Sequence, residues 1–161
     1  MQYQSVKMTA GFEGCRLTSY KDSGGVWTIG FGHTKDVQPG QTCTMQQALL
    51  WLDADMKWAE NVVNAAILRE GLSDVPQGIF DALADFTFNC GPGTFTKSGI
   101  VGYLTRKQWQ EFCDLLSKFI HDRSGARLAG LVRRRDAEIA LVEGSVPGFH
   151  WQRPVDWMHV T

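Results

Sequence analysis

The sequence has no long apolar run. Its longest unbroken stretch is Ala48 to Leu52, far short of the roughly 20 residues a membrane-spanning helix needs. The N-terminal MQYQSVKM lacks the apolar centre of a secretory signal. Neither a signal peptide nor stable membrane insertion is expected. Charge of one sign is also scarce: the formal net charge is −1, so whole-molecule attraction to nucleic acid is excluded as a function class. Cysteine is limited to Cys15, Cys43, Cys90 and Cys113, with no Cys-x-x-Cys pair, which removes the ligand spacing of a zinc knuckle. No metal or cofactor is expected. Free thiols are favoured over disulfides, because 161 residues at 43% hydrophobic content bury a core without covalent staples. Repeats and low-complexity segments are absent as well.

What is present concentrates in EGCRLTSYKDSGGVWTIGFGHT, Glu13 to Thr34. Two carboxyls, Glu13 and Asp22, and one hydroxyl, Thr28, recur there at fixed spacing. Cleavage of a glycosidic bond needs one carboxyl kept protonated to supply the leaving oxygen, and a second kept ionised to direct water or stabilise positive charge. In an extended strand the two acids would lie roughly 30 Å apart, so the chain between them must fold back. Asp22-Ser23-Gly24-Gly25 is a turn signal between the short strands LTSYK and VWTIGF. Glu13 follows a helical stretch, Gln2 to Phe12, whose expected stop is Gly14. The negative end of that helix and the flanking Phe12 favour the protonated acid. Asp22, in a polar turn, is suited to stay charged.

With its YKD turn and WTIGFGHT tail, the stretch closely resembles the catalytic signature of phage-type lysozymes, the endolysins of glycoside hydrolase family 24 that include the T-even and lambdoid enzymes. The resemblance extends over roughly Met8 to Glu143 and implies Glu13 as general acid, Asp22 as the water-directing carboxylate and Thr28 as the water-holding hydroxyl. It implies hydrolysis of the N-acetylmuramic acid to N-acetylglucosamine linkage of peptidoglycan by a monomer. That monomer is made in the host cytoplasm and released to the periplasm and wall at lysis. It also implies an α+β, mainly helical fold, lysozyme-like, with a small β-hairpin lobe (14–43), a long connecting helix (44–68) and a larger helical lobe (1–13 plus 69–161), together one domain. Alternatives are a lytic transglycosylase, which needs the glutamate but no water-directing aspartate, and a non-catalytic wall-binding module.

Along the chain, Trp27, Ile29 and Phe31 alternate on the second strand, and Gly30 and Gly32 allow close approach of a backbone or a sugar, or a bulge. Thr44-Met45-Gln46-Gln47 has the form of a capping box, ahead of apolar residues Leu49, Leu52, Met56, Ala59, Val63 and Ile67 at helical spacing. SDVPQGIFDALADFTFNCG reads as a helix with Asp74 near its cap, Pro76 in its first turn and Gly91 at its stop. A brief helix is expected over Ser98 to Leu104. Thr105-Arg106-Lys107-Gln108 offers a second capping box before a helix bearing Trp109, Phe112, Leu116 and Phe119. A final helix is expected from Gly130 to about Gly144. The tail, with Trp151 and Trp157, has no readable pattern.

From Lys97 to Arg135 nine basic residues stand against three acids, so this stretch either faces an acidic polymer or is an ordinary solvated face. His33 is expected to be structural rather than catalytic. By resemblance, Arg135 is the expected partner of Glu13, and Thr34, Phe88, Asn89 and Ser98 match glycan-contacting or cleft-bordering positions. One departure stands out: apolar Leu115 occupies the place of a cleft asparagine. Cys15, two residues from Glu13, is the first candidate for redox sensitivity outside the cytosol.

Overall fold

A computed structural model describes residues 3–22 and 24–155, with side chains from residue 6 onward. Gln2 of the expected first helix, Ser23 of the expected turn and Trp157 of the tail lie outside the described residues. The order is α1 (Tyr3–Phe12), β1 (Arg16–Lys21), β2 (Trp27–Gly30), α2 (Met45–Arg69), α3 (Gln77–Cys90), α4 (Pro92–Ser98), α5 (Ile100–Thr105), α6 (Trp109–Ser117) and α7 (Ala129–Ser145). The described residues are thus mainly helical, with one two-stranded antiparallel sheet, as the α+β expectation held. The chain divides into two compact units, Met1–Trp58 and Ala59–Thr161, and the division falls within α2.

In the first unit, the β1 to β2 turn is closed by Gly25 N–H donating to the Asp22 carbonyl at 2.9 Å and Asp22 N–H to the Val26 carbonyl at 3.0 Å. Gly25 sits at φ +80°, a conformation that favours glycine. β2 ends sooner than the apolar alternation suggests. Ile29 and His33 exchange backbone hydrogen bonds of 2.9 and 3.0 Å, so Phe31 belongs to a tight turn rather than to the strand. Gly30, at φ +65°, lies close against α2, since a Cβ there would lie 3.1 Å from the Cβ of Ala48. What approaches closely at Gly30 is therefore α2, while Gly32 is open. Gly14 is not among the left-handed glycines. α1 stops at Phe12 because the chain turns directly into β1, and the expected glycine cap is absent.

Half of the expected capping box forms at the start of α2: the Thr44 hydroxyl accepts the Gln47 N–H at 3.1 Å, satisfying one of the helix's orphan donors. Its buried stripe is Ala48, Leu52, Met56, Ala59, Val63, Ala66 and Ile67. Leu49 is only half-buried; the small Ala48 takes the inward place because Gly30 packs there.

The second unit has an apolar core built from Val63, Ile79, Leu83, Phe86, Phe112, Leu116 and Ile139, with smaller contributions around them. α7 runs close against α3 at Gly78, where a Cβ would lie 2.9 Å from the Leu141 carbonyl oxygen. Several boundaries differ from the sequence reading. Pro76 is the N-cap of α3, not a first-turn residue. The segment after Gly91 forms α4 with Pro92 at its start, a helix the sequence did not suggest, and Gly99 in a left-handed conformation separates it from α5; the helix expected over Ser98 to Leu104 is α5, which starts two residues later. The second capping box does not form. Lys107 adopts φ +54°, the Thr105 hydroxyl donates back to the Val101 carbonyl at 3.0 Å, and α6 begins after Gln108 with no side-chain cap. Phe119 lies beyond the end of α6 and meets Phe86 edge-on at 4.9 Å.

Within the described residues, the tail is an ordered strap. Trp151 N–H donates to Glu143 at 2.7 Å and its indole N–H to Asp114 Oδ1 at 2.8 Å. Gln152 and Gln110 exchange two hydrogen bonds, at 3.0 and 2.7 Å. Phe149 and Trp151 pack on the apolar core.

Candidate active site

The acid at the end of α1 is held by that helix. Glu13 N–H donates to the Thr9 carbonyl at 3.0 Å, Thr9 is fully buried, and Glu13 is half-buried. Three residues later Arg16 pairs with Gly30, so Glu13 stands just before the root of the hairpin. Asp22 is exposed at the tip. Its Oδ1 accepts the N–H groups of Gly24 and Val26, both at 2.8 Å; among the described residues no hydrogen bond reaches Oδ2.

Register brings Asp22 and Thr28 together. Tyr20 pairs with Thr28, and the Asp22 N–H to Val26 bond extends that ladder by two residues. Side chains two apart share a face, so Tyr20, Asp22, Val26 and Thr28 project from the same side. Thr28 is 4% exposed, and its hydroxyl donates to the Val26 carbonyl at 3.0 Å. With its hydrogen so committed, Oγ1 faces any further partner as an acceptor.

β1 is not a regular strand. Between the pairs Arg16↔Gly30 and Tyr20↔Thr28 it advances four residues while β2 advances two. The two extra residues form a bulge, which bends a strand and increases its twist. Residues 17–19 pair instead with 41–43: Ser19 N–H donates to the Gln41 carbonyl at 2.8 Å and Cys43 N–H to the Leu17 carbonyl at 2.9 Å. Nothing in the local sequence signals this bulge, because the extra residues carry ordinary strand-forming side chains.

His33 is gripped by α2. Its Nδ1 lies 2.7 Å from Asp55 Oδ2, and its ring stacks on Trp51 at 4.9 Å between centroids and 8° between planes. Thr34, next in sequence, is exposed. Both cysteines nearest the site, Cys15 and Cys43, are half-buried free thiols, and Cys15 Sγ lies 4.0 Å from Met45 Sδ. Burial raises the Cys15 thiol above its ordinary range, with the neighbouring Cys43 adding to the shift.

The remaining expected residues lie in the second unit. Phe88 and Asn89 are half-buried at the end of α3, and the Ser98 hydroxyl donates to the Phe95 carbonyl at 2.7 Å while accepting the Ile100 N–H at 3.2 Å. Leu115 packs against the apolar core. Arg135 is fully buried. Its Nη2 donates to Glu138 Oε1 at 2.6 Å, its Nη1 to Cys90 Sγ at 3.3 Å, and its guanidinium lies over the Phe86 ring at 5.3 Å.

A neighbouring pair went unread in the sequence. Arg134 binds Asp85 through Nε to Oδ2 at 2.7 Å and Nη2 to Oδ1 at 2.9 Å, and both side chains are buried. Burial pushes Glu138 well above the ordinary carboxylate range, although Arg135 opposes the shift and Asp85 reinforces it. Among the described residues no hydrogen bond reaches Glu138 Oε2, and the nearby Asp85 carboxylate is one of the groups that raise this acid. Two acids in an otherwise apolar helix, Asp81 and Asp85 in IFDALADFTF, are the signal that would have located this cluster.

Comparison with known proteins follows the same residues. The family model for phage lysozyme matches residues 10–138. The SAR-endolysin of Bacteriophage PS119 is 33% identical over 129 residues, spanning 80% of this chain and 74% of that protein. The endolysin of Salmonella phage P22 is 33% identical over 134 residues, spanning 80% and 88%. Among solved structures, the muramidase domain of SpmX from Asticaccaulis excentricus superposes with a TM-score of 0.78 at 28% identity, covering 88% of this chain and 95% of that one. The endolysin from Escherichia coli O157:H7 phage FAHEc1 gives 0.77 at 26% identity, covering 95% and 97%.

Proposed function

Because the chain belongs to the phage lysozyme family and is a glycoside hydrolase of that kind, an endolysin, we propose that it cleaves the β-1,4 bond between N-acetylmuramic acid and N-acetylglucosamine in peptidoglycan, with inversion. Glu13 is the general acid that protonates the leaving oxygen, and Asp22 and Thr28 hold the attacking water. The observation that carries this reading is the shared face of Asp22 and Thr28. Asp22 Oδ1 is committed to two backbone N–H groups, which fixes the carboxylate and leaves Oδ2 for water. Thr28 Oγ1 offers an acceptor. A water donating one hydrogen to each points a lone pair outward, toward an anomeric carbon.

A water-holding pair needs room. Inverting glycosidases keep about 6.5–9.5 Å between their carboxyls, against about 5–5.5 Å where the second carboxylate attacks directly. Placing Asp22 at the hairpin tip and Glu13 before its root supports the wider spacing. Thr34, Phe88, Asn89 and Ser98 are the proposed glycan contacts. The enzyme would act as a monomer on glycan strands after release from the host cytoplasm at lysis.

Glu13→Gln and Asp22→Asn should each fold normally and lower turnover by roughly two to four powers of ten. Proton NMR of product, recorded before mutarotation, should show the α anomer first. A β anomer formed first would overturn inversion, and anhydro sugars released by an active Asp22→Asn enzyme would replace hydrolysis with transglycosylation.

A further inference from the structure

We infer that Ser19, Gln38 and Gln41 form a positioning device for Asp22: their hydrogen-bonded knot fixes the bend of β1 that orients the hairpin tip relative to its root. The inference rests on the reading of Glu13 and Asp22 as acid and water-directing base.

The Ser19 hydroxyl donates to the Gln38 carbonyl at 2.8 Å and accepts the Gln41 N–H at 3.1 Å. Gln41 Oε1 accepts the Gln38 N–H at 2.9 Å, and Gln41 N–H also reaches the Gln38 carbonyl at 3.2 Å. With the Ser19 N–H to Gln41 carbonyl bond of 2.8 Å, these contacts clamp the middle of the bulge to a closed turn. The clamp acts where β1 has no support from β2, since residues 17–19 lie between the Arg16↔Gly30 and Tyr20↔Thr28 pairs.

Above the bulge, Tyr20↔Thr28 and Lys21↔Trp27 and the Asp22 N–H to Val26 bond hold Asp22 and Thr28 as one piece. Below it, Arg16↔Gly30 joins the segment that begins at Glu13. The bulge is therefore the one place in β1 where tip and root can rotate against each other without breaking a β1 to β2 pair. Ser19 and Gln41 are polar and half-buried, whereas the apolar residues Ile29, Ala48, Leu52 and Met56 of this unit are fully buried. Loosening the knot should leave the unit folded and the water site assembled, yet let that site drift from the bond to be cut. Small displacements of reacting groups cost rate steeply, on the order of a hundredfold for 1 Å.

The test uses soluble peptidoglycan glycan strands as substrate. Ser19→Ala should lower kcat by roughly ten- to a hundredfold while KM stays within about twofold and the melting temperature within a few degrees; Gln41→Ala should behave alike. Ser19→Thr, which keeps the hydroxyl, should restore most of kcat. Adding Asp22→Asn to Ser19→Ala should cost less than Asp22→Asn alone, because the two act through one step. Wild-type kcat in Ser19→Ala would overturn the inference while leaving Asp22's role standing if Asp22→Asn is still crippled. So would a loss matched by unfolding and not relieved by Ser19→Thr. Near-normal activity of Asp22→Asn itself would instead remove the acid and base reading, and the inference with it.

Discussion

Asp55 and Trp51 grip His33 from two directions, one by a 2.7 Å contact and the other by a parallel stack. Both come from α2, so the ring ties the turn after β2 to the helix beneath it. Replacing His33 by Asn removes the stack, and aromatic pairs contribute about 0.5–1.5 kcal/mol beyond burial. Together with a weakened polar contact, His33→Asn should lower the melting temperature by roughly 3–6 °C for a chain of this size, while activity per folded molecule falls less than threefold. Thermal denaturation and an active-fraction assay decide between this and a catalytic ring, which would lose activity without losing stability. At this scale Glu13, Asp22 and Thr28 could be singled out in the sequence because the proposed chemistry needs those residue types. The partners of His33 were not, since Trp51 and Asp55 read only as positions along an amphipathic helix.

At the scale of elements, α3 and α7 carry a buried charge cluster that helical periodicity alone does not reveal. Arg134 and Asp85 satisfy one another bidentately, whereas burial raises Glu138 although Arg135 opposes the shift. Its folded-state pKa is raised above the unfolded one, so its contribution to stability is fully present below the ordinary carboxylate range and is lost as pH rises through the raised value. Asp81, raised by burial and by Glu60 although Gln77 opposes it, has the same sign. Glu138→Gln, which mimics the protonated acid, should fold, unfold at an equal or higher urea concentration than the wild type at pH 8, and show a flatter pH dependence. Glu138→Leu should lose about 3–5 kcal/mol by stranding the Arg135 charge. An unchanged pH profile in Glu138→Gln would place the titration elsewhere. The Thr44 cap, α2 and the end of α3 at Gly91 were readable because caps and stripes are local signals. The false box at Thr105 shows their limit: Lys107 turns left-handed, and the hydroxyl bonds backward.

For the whole molecule, the strap from Val146 to Arg153 was unreadable because polar docking has no period; each contact depends on a partner far along the chain. Its Trp151 packs on the apolar core that includes Cys113. That thiol is fully buried and pushed up to about 12 by burial, with Glu143 and Asp114 acting in the same sense, and those two acids are the ones that hold Trp151. Native protein treated with Ellman's reagent should expose Cys15 and Cys43 first and Cys113 last, with four thiols counted after denaturation. Trp151→Ala should speed the Cys113 reaction by about tenfold or more, because local opening then needs fewer contacts broken; an unaltered rate would show that the strap does not guard it. The bulge in β1 has a different kind of consequence, one written in the gene. Its two extra residues preserve the alternation of faces, so an in-frame loss of two codons between Arg16 and Tyr20 would leave Asp22 on its proper side and give a straighter, better-paired hairpin. By the positioning argument such a deletion would yield a sound fold and a poor enzyme.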